Sequence, residues 1–384
     1  MRFLAAALIG SLSIHLAASP QLTPLDMDVV AWTFDVERHV PGTLDEHAKI
    51  IAAWPWDRLK LVIRRVSRPV RDTSLLLRAS AVYRDIVLNV PLDARPRYPT
   101  TGGAIVAEDG QSSGSTWLDS HLAIGQDLVD AVLKSRLVRA EEREIGRLWY
   151  RSLAAHLRNT YDLADLQPHV LGALDNFPRD AGVLFDAGCF AEALAAPMSQ
   201  EAIRRPTGTS TRELLQARRY SRSGNLELAE QRFRQAVEAD PAWTEAQIRL
   251  GRVLLLRGDV RAAVEILGPA ARRPVEDPEV RYFAQLFLGR ALEAARRGED
   301  ALAAYERAVA EFPRAQSALL ALSSLNRTRG NVGRADQLAL DVLALPGAET
   351  SRYDPWWNYY RGSTQQMDRF ASEFVRRIRL LSAE

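Results

Sequence analysis

Residues 244–270 read TEAQIRLGRVLLLRGDVRAAVEILGPA. Apolar and small residues return every three or four positions on both sides of Gly258, which marks two short amphipathic helices. Gly258 stands five residues before Ala263, where a tight helix-to-helix turn needs a residue free to take positive φ. Gly251, Ala263 and Ala270 are small enough to let the two helices approach closely. Such a hairpin has an apolar face it cannot cover alone. Copies must therefore stack, and the stack is a solenoid.

The copies are present. Ala229, Phe233, Ala236 and Pro241 precede the set Ala263, Leu267, Ala270, and Ala301, Tyr305, Ala308, Pro313 and then Ala335, Ala339, Val342 follow it. Leu250-Gly251 and Leu288-Gly289 supply an apolar-small pair to the first helix of a hairpin, with Gln216-Ala217 and Leu322-Ser323 as degenerate versions. The period is 34 from Gly224 to Gly258 and 38 between Gly251 and Gly289, with residues inserted around Pro274 and Pro278. Arg296 stands where the third turn calls for glycine. Phe233 or Tyr305 fills the gap between hairpins, and Pro241 and Pro313 stop the second helices.

Over roughly residues 210–347 these positions resemble the tetratricopeptide repeat (TPR). The resemblance implies an all-α fold: a right-handed α-solenoid of TPR-like helix hairpins, here preceded by an irregular helical N-terminal region. It also implies a binding surface, because in such arrays the first helix of each hairpin lines a concave wall. Arg218, Arg252 and Arg290 share the ninth repeat position, Leu214, Ile248 and Leu286 share the fifth, and Arg222 and Arg327 add charge. A guanidinium ladder between apolar rungs grips carbonyls and carboxylates of an extended peptide, so a protein or peptide partner with an acidic stretch is expected. The opposing expectation is that these arginines, drawn from a chain with 47 of them in 384 residues, pair within the molecule.

The rest of the chain is expected to serve the array. Residues 20–140 read as irregular and helical, with helices at 44–53, 56–66, 72–89 and 118–138 and a mobile loop at 91–116 rich in proline, glycine and serine. Residues 141–196 read as a degenerate hairpin plus an extra helix at about 181–195, and 197–210 as a loop. The array proper, 211–347, holds three clear repeats and one degenerate one. In 348–384 the run Asp354-Pro-Trp-Trp-Asn-Tyr-Tyr reads as aromatic packing that seals the array's end, and Phe370, Phe374, Ile378 and Leu381 mark a capping helix.

Composition excludes several partners. Fifty basic residues against 48 acidic ones, net +2, call for neither nucleic acid nor lipid. Arg2, the apolar run Phe3–Leu16 and the small Ala17, Ala18 and Ser19 read as a signal peptide over residues 1–19, which predicts a periplasmic or secreted product with no integral membrane segment afterwards. Cys189 is the single cysteine and sits in an apolar helical stretch as a packing residue. The six histidines make no metal-ligand spacing, and the glycine-rich stretches at 101–103 and 110–114 lack a phosphate-binding lysine. No catalytic residue, cofactor or metal is expected, and the chain reads as a non-catalytic scaffold. The alternative is an envelope enzyme or carbohydrate-binding protein with its site in the N-terminal third near His121, or with Trp356 and Trp357 as a sugar platform.

Overall fold

The computed structural model describes residues 73–74, 76–78, 80–81, 84, 113–160, 163–197, 199–200, 221–345, 353–362 and 364–381. The expected signal peptide, the helices at 44–53 and 56–66, most of the 91–116 loop, and Leu214 and Arg218 lie outside the described residues. Every regular element among the described residues is helical: α1 (Ser113–Leu133), α2 (Ala140–Asn159), α3 (Leu163–Asn176), α4 (Ala181–Leu194), α5 (Arg222–Ala239), α6 (Thr244–Leu256), α7 (Val260–Ala270), α8 (Pro278–Ala294), α9 (Gly298–Glu311), α10 (Gln316–Thr328), α11 (Val332–Leu343), a 3-10 turn at Pro355–Asn358, and α12 (Thr364–Leu381). No described helix is long and apolar enough to cross a membrane. The helix expected at 118–138 spans Ser113–Leu133 instead, and so takes up the last residues assigned to the preceding loop.

The chain divides into two compact units. The first holds residues 1–154, 171–176 and 368–384, the second 155–170 and 177–367. In the first unit Leu122, Val129, Val132, Ile145, Trp149, Leu153 and Phe374 are buried. The start of α2 is fixed by Glu142, whose carboxylate accepts the Arg139 N–H at 2.8 Å and the Thr73 hydroxyl at 2.7 Å. Burial opposes ionisation of Glu142, but these donors, with Ser74, hold it below the usual carboxylate range.

The second unit contains the array. α6 pairs with α7, α8 with α9 and α10 with α11, and the first helices α6, α8 and α10 lie side by side as one wall. The glycines expected to bring paired helices together do so. A Cβ on Gly251 would lie 2.5 Å from Leu267, and one on Gly289 2.5 Å from the Tyr305 ring. The turns also follow the sequence: Gly258 and Gly330 take φ of 89° and 84°, and Arg296 is held at φ 59° where glycine is missing.

The first hairpin departs from expectation. The partner of α5 is α4, and a Cβ on Gly188 would lie 2.6 Å from the Phe233 ring, in the same way that Gly289 meets Tyr305. α4 and α5 therefore pack as a hairpin, with residues 201–220 between them outside the described residues. Ser221 and Arg222, placed by sequence at the end of that first helix, open the second one: Ser221 Oγ caps α5 by accepting the Gly224 N–H at 3.1 Å. The reason is steric. Phe233 packs against a position without a side chain, and Gly188 supplies it.

Candidate functional site

The wall formed by α6, α8 and α10 is occupied along much of its length by residues 353–360 of the same chain. Tyr353 begins the contact, its hydroxyl donating to Glu279 of α8 at 2.5 Å, and Asp354 beside it is fully buried. Its Oδ2 accepts the Ser317 N–H at 2.8 Å, and its Oδ1 accepts the Tyr282 hydroxyl at 3.2 Å and the Trp356 N–H at 3.0 Å. Ser317 lies in the first turn of α10, whose N-cap residue, Ala315, has no side chain able to cap. Asp354 thus supplies from elsewhere the acceptor and the negative charge that a helix N-terminus favours.

The aromatic residues continue along α8 and α6. The Trp356 ring packs edge-on against Phe287 at 5.9 Å, with the Arg252 guanidinium 4.9 Å and the Arg290 guanidinium 5.4 Å from its centroid. Tyr359 is buried between Phe283 and Phe287, with ring centroids 4.9 and 5.3 Å away. Its carbonyl accepts from Arg249 at 3.2 Å and its hydroxyl donates to Glu192 at 3.0 Å. The Tyr360 hydroxyl accepts from Arg252 at 2.7 Å.

Beneath the segment lies a buried charge cluster. Glu192 of α4 pairs with Arg249 at 3.1 Å and with Arg252, and all three are 5% exposed or less. Burial disfavours both guanidinium charges, yet Glu192 and the tyrosines around Arg252 hold it above the ordinary arginine range. Burial likewise pushes the Tyr359 hydroxyl well above its usual range, with Glu192 adding to the effect. Cys189, one turn before Glu192, is buried and its thiol is pushed up to about 11 by desolvation, which leaves it a packing residue and a poor nucleophile at neutral pH.

The expected groove residues therefore divide. Arg252 and Arg290 do align one repeat apart, and both converge on one indole, Trp356, which belongs to the chain itself. Arg252, Ile248 and Leu286 are buried, so they are not free rungs. Arg290 and Arg327 are exposed, Arg327 pairing with Asp336 at 2.5 Å. Arg222 opens the outer helix α5. The aromatic run lies against the inner wall and does not seal the array's end. Sequence reasoning missed Glu192, and the signal for it is positional: with Gly188 set equivalent to Gly251, Glu192 falls three residues after the position that Arg252 holds in its own helix, one turn along the same face.

In the first unit, Asp127 is raised to about 6 by burial, with Asp130 one turn away adding to it. Asp130 accepts the Tyr150 hydroxyl at 2.5 Å and the Asn176 amide at 2.7 Å, a brace tying α1, α2 and the end of α3. Among the described residues no group of three or more His, Cys, Asp or Glu is placed to hold a metal ion.

Two family models described as tetratricopeptide repeat match residues 221–287 and 287–349. Residues 221–349 carry tetratricopeptide repeats. The TPR models begin at Ser221 and so leave out α4, the first helix of the first hairpin. No curated relative matches the chain. Among solved structures, PilF of Pseudomonas aeruginosa is similar at 15% identity and a TM-score of 0.41, covering 60% of this chain and 90% of that one. MamA from Desulfovibrio magneticus RS-1 is similar at 17% identity and a TM-score of 0.38, covering 50% and 91%. YrrB, described as a TPR protein with an unusual peptide-binding site, is similar at 16% identity and a TM-score of 0.36, covering 53% and 88%. With its repeats, the chain has the make-up of a protein-interaction scaffold.

Proposed function

We propose that the protein is an exported, non-catalytic TPR scaffold that binds a segment of another envelope or secreted protein along its inner wall. One observation carries the reading: beyond the part covered by residues 353–360, the wall continues as exposed Leu320, Ser324 and Arg327, and Arg290, which packs on Trp356 at the edge of the covered part, is itself exposed, as is Trp357. Exposed guanidinium groups next to a leucine 47% exposed combine the charge and the apolar surface that an extended acidic peptide uses. Export rests on the N-terminal run Arg2–Ser19.

The test is capture of partners from envelope extract with the mature chain and with Arg290→Glu/Arg327→Glu side by side. The double variant, with unchanged helicity, is expected to lose the partner at least tenfold. Equal capture by both proteins removes this wall from the account.

A further inference from the structure

The inner wall holds residues 353–360 of its own chain, chiefly through the side chains of Asp354, Trp356, Tyr359 and Tyr360. The regular structure of the segment is a single turn, Pro355–Asn358. Three sets of groups read it, two on the wall and one reaching in from α4. The N-terminus of α10, lacking its own cap, takes the Asp354 carboxylate, with the Tyr282 hydroxyl as a further donor. Arg252 and Arg290 take the Trp356 ring. Glu192 takes the Tyr359 hydroxyl, and Arg249 donates to the Tyr359 carbonyl.

We infer that residues 353–360 are an internal ligand that blocks the wall, and that the protein's partner carries the same chemistry. That chemistry is an aspartate followed two residues later by an aromatic and five residues later by a tyrosine. This inference rests on the groove reading proposed above, extends the partner's site from the uncovered part of the wall onto the part that residues 353–360 hold, and gives the partner segment its chemical class. The internal copy sets the threshold. A tethered segment competes at an effective concentration on the order of millimolar, so a partner of micromolar affinity is held off about a thousandfold until it is presented in high local amount or in multiple copies.

The test uses the full chain and a fluorescein-labelled synthetic peptide of residues 351–362, titrated by anisotropy. Wild type is compared with Asp354→Ala/Trp356→Ala, in which the internal copy is weakened and every wall residue is native. The double variant is expected to bind the peptide at least a hundredfold more tightly than wild type, and a peptide carrying Asp354→Asn is expected to lose at least tenfold. A variant with wild-type circular dichroism that fails to bind overturns the inference. Amide exchange in the wild-type protein decides the matter should the variant not fold. The N–H groups of Ser317 and Trp356, both bonded to Asp354, are expected to exchange by local opening, ahead of the core amides of α8. Exchange of both only with global unfolding makes the segment a fixed part of the core and overturns the inference as well. Arg290 and Arg327 are native throughout, so failure here leaves the capture experiment above to judge the groove reading separately.

Discussion

Asp354 caps a helix that starts well before it in the sequence: its carboxylate accepts the Ser317 N–H at 2.8 Å across 37 residues of chain. The contact joins the end of the repeat array to the inner wall of the same array. It also satisfies a donor that Ala315 leaves open at the start of α10. Asp354→Ala is expected to destabilise the protein by about 1–3 kcal/mol in urea unfolding, the range for losing a cap together with a buried acceptor. Asp354→Asn, which keeps one acceptor oxygen, is expected to cost less.

Glu192 is the shared partner of two buried arginines, and its removal strands both. Glu192→Ala is therefore expected to cost about 3–5 kcal/mol, the price of uncompensated buried charge. Removing an arginine at the same time relieves part of that cost. In urea unfolding, Glu192→Ala/Arg252→Met is expected to be less destabilised than the two single changes summed, with a coupling of at least 1 kcal/mol or so. Strict additivity would mean that the pair does not interact in the folded protein.

The interrupted first hairpin gives a steric prediction. A Cβ at Gly188 meets the Phe233 ring at 2.6 Å, whereas one at Gly333, in the first turn of α11, meets nothing within 4 Å. Gly188→Ala is expected to destabilise by about 1–3 kcal/mol through overpacking. Gly333→Ala is expected to stabilise by about 0.5 kcal/mol, because it only removes backbone freedom from the unfolded chain. Thermal midpoints moving in opposite directions would confirm that α4 is the partner of α5.

Two groups make stability depend on pH with opposite signs. Burial pushes His169 down from 6.5 to about 4, so between these values the unfolded chain holds a proton that the folded one does not. Its contribution is full above pH 6.5 and is lost as pH falls toward 4, by on the order of 3 kcal/mol. Asp127 is raised from 3.8 to about 6, so its contribution is full below 3.8 and is lost as pH rises through 6. The two slopes oppose each other in the wild type between pH 4 and 6. Asp127→Asn is expected to leave stability rising more steeply with pH over that interval, and His169→Gln to leave it falling. Urea midpoints taken across the interval check both.

Much of the array was legible in the sequence because its determinants are local and repeat. Gly258 and Gly330 at the turns, Arg296 forced to take the place of a third glycine, and Gly251 and Gly289 facing Leu267 and Tyr305 all sit at fixed offsets. The pairing of α4 with α5 was not legible because the two helices are separated by the stretch between Leu194 and Arg222, far longer than the short turns that join the other pairs. With Gly188 unplaced, Glu192 had no repeat position, and the partner of Arg252 was invisible. The fate of Asp354-Pro-Trp-Trp-Asn-Tyr-Tyr was illegible for another reason. Its composition demands burial of the aromatic rings but names no surface, and the one local hint, Ala315 at an N-cap, matters only once a distant carboxylate is brought to it.

Replacing Trp356 with photo-reactive p-benzoylphenylalanine and mapping the intramolecular cross-links by mass spectrometry asks whether this segment lies on the inner wall of its own array. The account predicts insertion into α6 and α8, around Arg252, Phe287 and Arg290. Cross-links to the outer helices α7, α9 or α11, or none within the chain, would contradict it.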